Sequence, residues 1–385
     1  MIVQLILVFL IPTLIGNAFA APLVEYLNDI TDLLYDNENI YFFEIDRSIQ
    51  SQTWIADTKI IELNDHTKHP LSSDLFIYPT ELSSNGDYLY FATLADECVG
   101  FIACDYQNII RVSKIDGISS TLATGLKSAI HIHMEPDSLY VSESNGNIWE
   151  INFDGTKRLI HKTDNIILDV AYLDGSVFWI EEVNENLHKI MAKSDQSISH
   201  VSFDSPHTVY DTPSLPYSLD TSNGRLRWNE IYVNSTENNV SDYTAIMEFD
   251  GKTVRKIYEF KNTANIARFD SVAHYKPHLI AGEYIFLVNN TQVPSSLHMI
   301  HLYNGSNTLL DPSITNAPIF LRAESDKIFL VGKTGKEFSI DQYSLPVVVP
   351  EFPASILILV GGIILVIVNR FTRLGPSSPK SFNIR

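Results

Sequence analysis

The stretch Ser138–His161, SLYVSESNGNIWEINFDGTKRLIH, decides the fold. Leu139 to Ser142 is an extended run, and Asn145-Gly146 is a strong two-residue hairpin signal. Trp149, Ile151 and Phe153 then alternate with Glu150 and Asn152, the period-two pattern of a half-buried strand. Asp154-Gly155 turns the chain once more into Thr156–Ile160. The stretch reads as three antiparallel strands joined by two tight turns.

Comparable stretches recur along the chain. GDYLYFATLA (Gly86–Ala95) leads to NIIRVSKIDG (Asn108–Gly117), and GSVFWIEEVNENLHKI (Gly175–Ile190) follows. GRLRWNEI (Gly224–Ile231) leads to YTAIMEFDG (Tyr243–Gly251), and GEYIFLVNN (Gly282–Asn290) to LHMIHLYNG (Leu297–Gly305). Weaker copies are NIYFFEID (Asn39–Asp46) and DKIFLVGK (Asp326–Lys333). The apolar centres are Tyr41, Tyr90, Tyr140, Phe178, Trp228, Phe286 and Phe329, spaced 48 residues apart on average. Short strands repeating at that period predict an all-β propeller of four-stranded blades, seven by the count of centres, with six as the alternative. The seventh unit ends at KEFSIDQYSL (Lys336–Leu345), one outer strand short. The run PLVEYL (Pro22–Leu27) is therefore expected to complete that blade and remove an exposed edge.

The termini predict a cell address. Residues 1–20 carry no charged side chain and end in Ala18-Phe19-Ala20, the small-x-small pattern of a cleaved signal peptide. Residues 352–368, FPASILILVGGIILVIV, are seventeen uncharged residues. As a helix they would span about 25 Å, enough for a short membrane crossing. Arg370, Arg373, Lys380 and Arg385 follow, with no acid after Glu351. Positive charge marks the cytoplasmic side. The expected organisation is a signal peptide (1–20), an extracellular propeller (21–345), a linker (346–351), a membrane helix (352–369) and a basic cytoplasmic tail (370–385).

The whole chain has net charge −19, and its four tail cations leave residues 21–351 at −23. Phosphate binding needs a basic face, so nucleic acid is excluded as a partner. Cys98 and Cys104 are the only cysteines, and in an exported chain they are expected to form a disulfide. Its short loop limits it to about 2 kcal/mol by chain entropy. Sequons at Asn234, Asn239, Asn289 and Asn304 make glycosylation an expectation.

Two resemblances follow from these residues. LYVSESNGNIWEINFDGTKRLI resembles the YWTD-type repeat of low-density-lipoprotein-receptor propellers, with Leu139-Tyr140 and Asp154 to Arg158 at matching places. VFWIEE (Val177–Glu182) is similar at its aromatic pair. This likeness implies the architecture and no particular ligand. VVVPEFPASILILVGGIILVIVNRFTR (Val347–Arg373) resembles the Pro-Glu-Phe anchor segments of archaeal surface proteins, notably of ammonia oxidisers, through Pro350-Glu351-Phe352. That likeness implies an archaeal cell surface.

No nucleophile elbow, zinc-protease motif, phosphate loop or dinucleotide fingerprint occurs. Candidate chemistry must come from inner strands converging on the axis. His131 lies nine residues before Tyr140, Asp169 nine before Phe178 and Asp220 eight before Trp228. His133 shares the strand face of His131, while Asp270 and Arg322 fall on later inner strands at less regular offsets. Such groups could hold a calcium or magnesium ion, or position an acid and a base. The alternative is that they bond backbone amides near the axis, with no cofactor. His298 and His301 are three apart, so on a strand they face opposite ways.

The long connections Leu94–Gln107, Tyr232–Asp242 and Asn289–Ser296 all fall between second and third strands, on the face that also carries the blade-to-blade links. Loop elaboration on a rigid scaffold favours binding there. The leading expectation is a non-enzymatic surface module for a protein, glycan or envelope component. A metal-dependent lyase or hydrolase at the channel is the alternative.

Overall fold

The turns in Ser138–His161 close as their glycines require. Ser138–Glu143 pairs antiparallel with Asn147–Asn152, which pairs with Lys157–Lys162. The inner strand Ala129–Met134 completes a four-stranded blade. Gly146 turns at φ 86°, and a Cβ there would stand 2.2 Å from the Thr163 carbonyl oxygen. Both the left-handed backbone and the close approach demand glycine.

The computed structural model describes residues 21–344 apart from 28–29, 37–38, 46–56, 65–66, 78, 96–105, 195–204, 223, 237–238, 262–277, 290–293, 325–326 and 335–336. The described strands form seven antiparallel sheets, the seven blades of a propeller. Their inner strands are Ile30–Asp36, Thr80–Asn85, Ala129–Met134, Ile166–Leu173, Leu215–Ser222, His278–Ala281 and Ala317–Glu324. Their second strands are Asn39–Ile45, Tyr88–Leu94, Ser138–Glu143, Ser176–Asn184, Arg225–Thr236, Tyr284–Asn289 and Lys327–Thr334. Every predicted apolar centre lies on a second strand and is buried.

These second strands bury both faces. From the third residue on, Tyr41 and Phe43 of blade 1 pack against Leu89 and Phe91 of blade 2. Tyr90 and Ala92 pack in turn against Leu139 and Val141 of blade 3, and Tyr140 against Val177 and Trp179 of blade 4. Phe178 and Ile180 meet Leu226 and Trp228, and Phe329 and Val331 of blade 7 meet Ile40 and Phe42 of blade 1. At these junctions the earlier blade presents odd positions and the later blade even ones. Burying such a side chain contributes about 1.5–3 kcal/mol, so blade junctions are the core. The alternation along Asn147–Asn152 implied one solvated face; instead Ile148 and Ile151 are buried on opposite sides, between two neighbours.

Ring closure follows the expected route. Ala21–Leu27 pairs antiparallel with Glu337–Ser344, with Ala21 opposite Gln342 and Leu27 opposite Phe338. The first of the described strands is therefore the outer strand of blade 7.

Tyr232–Asp242, expected as a loop from its polar composition, is instead strand over much of its length. The hairpin pairing runs on from Tyr232↔Tyr243 to Thr236↔Asn239. Stacked Tyr232 and Tyr243 rings, 5.7 Å between centroids, extend the ladder past the point where apolar alternation stops. Asn234 and Asn239 accordingly sit on strands, Asn289 ends a strand and Asn304 is exposed in a turn. Cys98, Cys104, Asp270, residues 1–20 expected as a signal peptide and the segment 352–369 expected as a membrane helix lie outside the described residues. Among the described residues no helix is long and apolar enough to cross a membrane.

Candidate functional site at the channel

Five inner strands each place one polar residue at the same level of the axis. Asp32, Glu81, His131, Asp169 and Ser218 line a cavity of about 320 Å³ together with Arg322 of blade 7, while the described inner strand of blade 6 contributes no lining residue. Irregularities in the ladder accompany them: pairing slips between Ile30 and Leu33, Thr80 and Ser83, and Tyr217 and Asp220. Glu81 and Ser218 adopt left-handed backbones, with φ of 38° and 59°. Bulges of this kind re-aim side chains, here toward the axis.

The carboxylates act across blade junctions. Asp32 Oδ2 accepts the Leu82 backbone N–H at 2.8 Å, and Glu81 Oε2 accepts that of Ile132 at 2.7 Å. Asp169 Oδ2 accepts the Leu219 N–H at 2.7 Å, while its Oδ1 accepts Val170 N–H at 2.7 Å. In each cross-blade bond the donor is the residue that follows the equivalent ring position in the next blade. At the closing junction Arg322 donates through Nε and Nη2 to Asp32 Oδ1, at 3.2 and 2.5 Å. Burial works against the charge on Arg322, but the adjoining Asp32 raises its pKa overall.

His131 stands between two of these carboxylates. Its Nδ1 is 2.6 Å from Glu81 Oε1 and 3.6 Å from Asp169 Oδ1. With acceptors on that side, Nδ1 is the nitrogen that carries the proton. His133 also lines the cavity, with Nε2 3.0 Å from Glu135 Oε1.

Of the sequence candidates, the structure brings His131, His133 and Asp169 to one cavity. Asp220 is not among its lining residues; it faces Arg227 across the ladder and accepts a hydrogen bond from Ser222 Oγ at 2.9 Å. Burial raises its carboxyl pKa, with Ser222, Arg227 and His133 pulling the other way. Asp220 stands eight residues before Trp228, but the residue equivalent to Tyr140 in blade 5 is Arg227. Counting nine back from Arg227 gives Ser218. The same count from Tyr41 and Tyr90 gives Asp32 and Glu81, which the sequence reading passed over.

The donor set does not suit the expected calcium or magnesium ion. Asp32 turns its oxygens to the Leu82 amide and Arg322, and Glu81 and Asp169 turn theirs to backbone amides and His131; among the described residues no three His, Cys, Asp or Glu gather at metal-binding geometry. His298 and His301 have separate partners: Ser296 and Asn307 for the first, Glu283 and Tyr303 for the second.

A second, outer ring also escaped the sequence reading. The sixth residue of the second strand is Glu44, Glu143, Glu181 or Glu230 in four blades and Thr93 in blade 2, all buried. Glu143 accepts Lys127 N–H at 2.7 Å, Glu181 accepts Thr163 Oγ1 at 2.9 Å, and Glu230 accepts Thr212 Oγ1 at 3.3 Å. Each of these three holds the connector arriving from the previous blade.

No protein-family model matches the chain, and no curated protein matches it. Solved structures do match in fold. The β-propeller domain of the Trilobed protease from Pyrococcus furiosus, described as having an open velcro topology, aligns at TM-score 0.54 and 10% identity over 84% of this chain and 94% of that one. The WD40 domain of Toxoplasma gondii coronin aligns at 0.53 and 10% over 88% of each chain. A Mycobacterium tuberculosis puromycin-hydrolyzing peptidase aligns at 0.53 and 10% over 79% of this chain, which spans only 49% of that peptidase. At such identity these likenesses show the propeller alone.

Proposed function

We propose that this propeller is a membrane-tethered surface module that binds a protein, glycan or envelope component on the face carrying its blade-to-blade links. One observation carries this reading. The ionisable groups at the axis join neighbouring blades, as Asp169 does to Leu219 and Arg322 does to Asp32. A channel so engaged is a clasp that holds the scaffold rigid, which suits recognition by the connections around it. The leader, the Pro-Glu-Phe-led apolar segment with its basic flank, and the YWTD-type likeness of Ser138–His161 support the surface address.

The Glu81–His131 contact favours a second reading, acid–base catalysis at the channel mouth. An imidazole oriented through Nδ1 can move a proton at Nε2. One experiment separates the two. The full chain in detergent is measured against arrays of surface glycans and envelope proteins, and against hydrolase and lyase substrates, beside His131→Ala. Saturable binding unchanged in the variant supports the module. Turnover abolished in the variant replaces it with an enzyme.

A further inference from the structure

The two ends of the propeller strand pair leave it side by side. Ala21 opposes Gln342, two residues before the last described strand ends at Ser344. Those ends occupy the place where, in the other blades, the chain passes from the third strand to the outer one. They therefore emerge on the turn face, opposite the face of the blade-to-blade links. Only residues 345–351 separate Ser344 from the apolar run beginning at Phe352, a reach of about 25 Å when fully extended.

The turn face carries an unusual apolar feature. In blade 2 the turn Ser113–Ser119 exposes Ile115 by 82% and Ile118 by 65%, the two most exposed large apolar side chains among the described residues. The turn is braced, not loose. Gly117 N–H donates to Ser113 O at 2.9 Å, Ser113 N–H to Ile118 O at 3.0 Å, and Lys114 N–H to Asp87 O at 2.8 Å. Gly117 also sits against Leu71, whose carbonyl oxygen would be 1.8 Å from a Cβ.

We infer that the turn face lies against the lipid surface, with Ile115 and Ile118 inserted among the headgroups as a second point of contact. This rests on the tethered reading above. Isoleucine side chains at an interface gain by leaving water, and a short tether keeps them at high local concentration beside it. Asp87 and Asp116 flank the pair, so zwitterionic lipid is the surface it fits and anionic lipid weakens the contact. The blade-to-blade face then points away from the membrane, toward ligands.

The full chain is reconstituted into phosphatidylcholine vesicles, with a fluorophore on I115C or, as control, N145C on the opposite face, in a C98S/C104S background. The expected result is a blue-shifted emission quenched by brominated lipid at position 115 and a water-like, unquenched emission at 145. Hydrogen exchange of the unsubstituted chain in the same vesicles, comparing residues 113–119 with 143–147, makes the same distinction without cysteine changes. A chain that floats with the vesicles but shows a water-like residue 115 overturns this inference and leaves the tether standing. A chain that does not associate with vesicles overturns both.

Discussion

Arg227 and Glu248 face each other across neighbouring strands of blade 5, both wholly removed from solvent, with Nε 3.1 Å from Oε2. Arg227 occupies the position held by Tyr41, Tyr90, Tyr140, Phe178, Phe286 and Phe329 elsewhere. It also donates to Ser222 Oγ at 2.9 Å, to the Gly282 carbonyl and to Tyr303 Oη at 2.8 Å, so it joins blade 5 to blade 6. Arg225 and Arg255 complete the charge around Glu248 at 2.6 and 2.8 Å. This junction thus adds an ion network to its apolar cluster of Ile246, Ile280 and Ile285, at the position where the other blades carry an aromatic ring.

Breaking that pair from one side leaves a charge buried and unmatched. Glu248→Ala should lower stability by about 3–5 kcal/mol, whereas the joint change Arg227→Phe with Glu248→Leu should come out near neutral, since buried pairs seldom outdo apolar packing. Urea unfolding of the single and double variants checks this. A double variant as unstable as the single one would sink the account.

Acid should expose the same network. Burial is the largest influence on the Glu248 carboxyl and raises its pKa, but the Tyr303 hydroxyl with Arg255, Arg227 and Arg225 overcomes it and holds the group at about 2, against an ordinary 4.5. A group depressed in the folded state stabilises it above the unfolded value, and that contribution disappears as pH falls from about 4.5 towards 2. The urea midpoint should drop through this window more steeply than in Glu248→Gln. Parallel profiles would show that Glu248 is not the group responsible.

The axial clasp should be measurable at a single carboxylate. Asp169→Ala leaves the Leu219 and Val170 amides without their acceptor, which costs about 1–3 kcal/mol for buried donors. Asp169→Asn keeps one acceptor oxygen and should lose less. Equal losses in the two variants would count against the clasp.

Removing residues 21–27 strips the outer strand from Glu337–Ser344 and exposes an unpaired edge. The shortened chain should melt earlier and associate through that edge, read by light scattering after size exclusion. A monomer of unchanged stability would contradict the closure.

Two glycines with nearly the same backbone separate strain from crowding. Gly146→Ala must place its Cβ 2.2 Å from the Thr163 oxygen, whereas Gly251, at φ 88°, has nothing within 4 Å. Gly251→Ala should cost only the left-handed penalty, about 1–2 kcal/mol, and Gly146→Ala clearly more. Thermal melts of the two variants decide it.

What the sequence determined by itself is everything written locally. Period-two alternation, Asn145-Gly146, Asp154-Gly155 and seven apolar centres specify hairpins and blades, with seven expected and six as the alternative, and the seven sheets of the structure decide the number. The missing strand in Lys336–Leu345 pointed to Pro22–Leu27 because an odd edge has to be filled. The site was only half legible. A nine-residue offset from the third residue of the second strand reaches Asp32, Glu81 and Ser218, whereas Asp220 came from an eight-residue offset taken from Trp228, one residue beyond Arg227, which replaces the aromatic. The tertiary structure alone decided that Glu81, His131 and Asp169 meet. Convergence on an axis depends on the tilt of every blade and on bulges that add a residue here and there. Those displacements come from packing at the junctions, where side chains some fifty residues apart settle against one another, and no short window of sequence contains both.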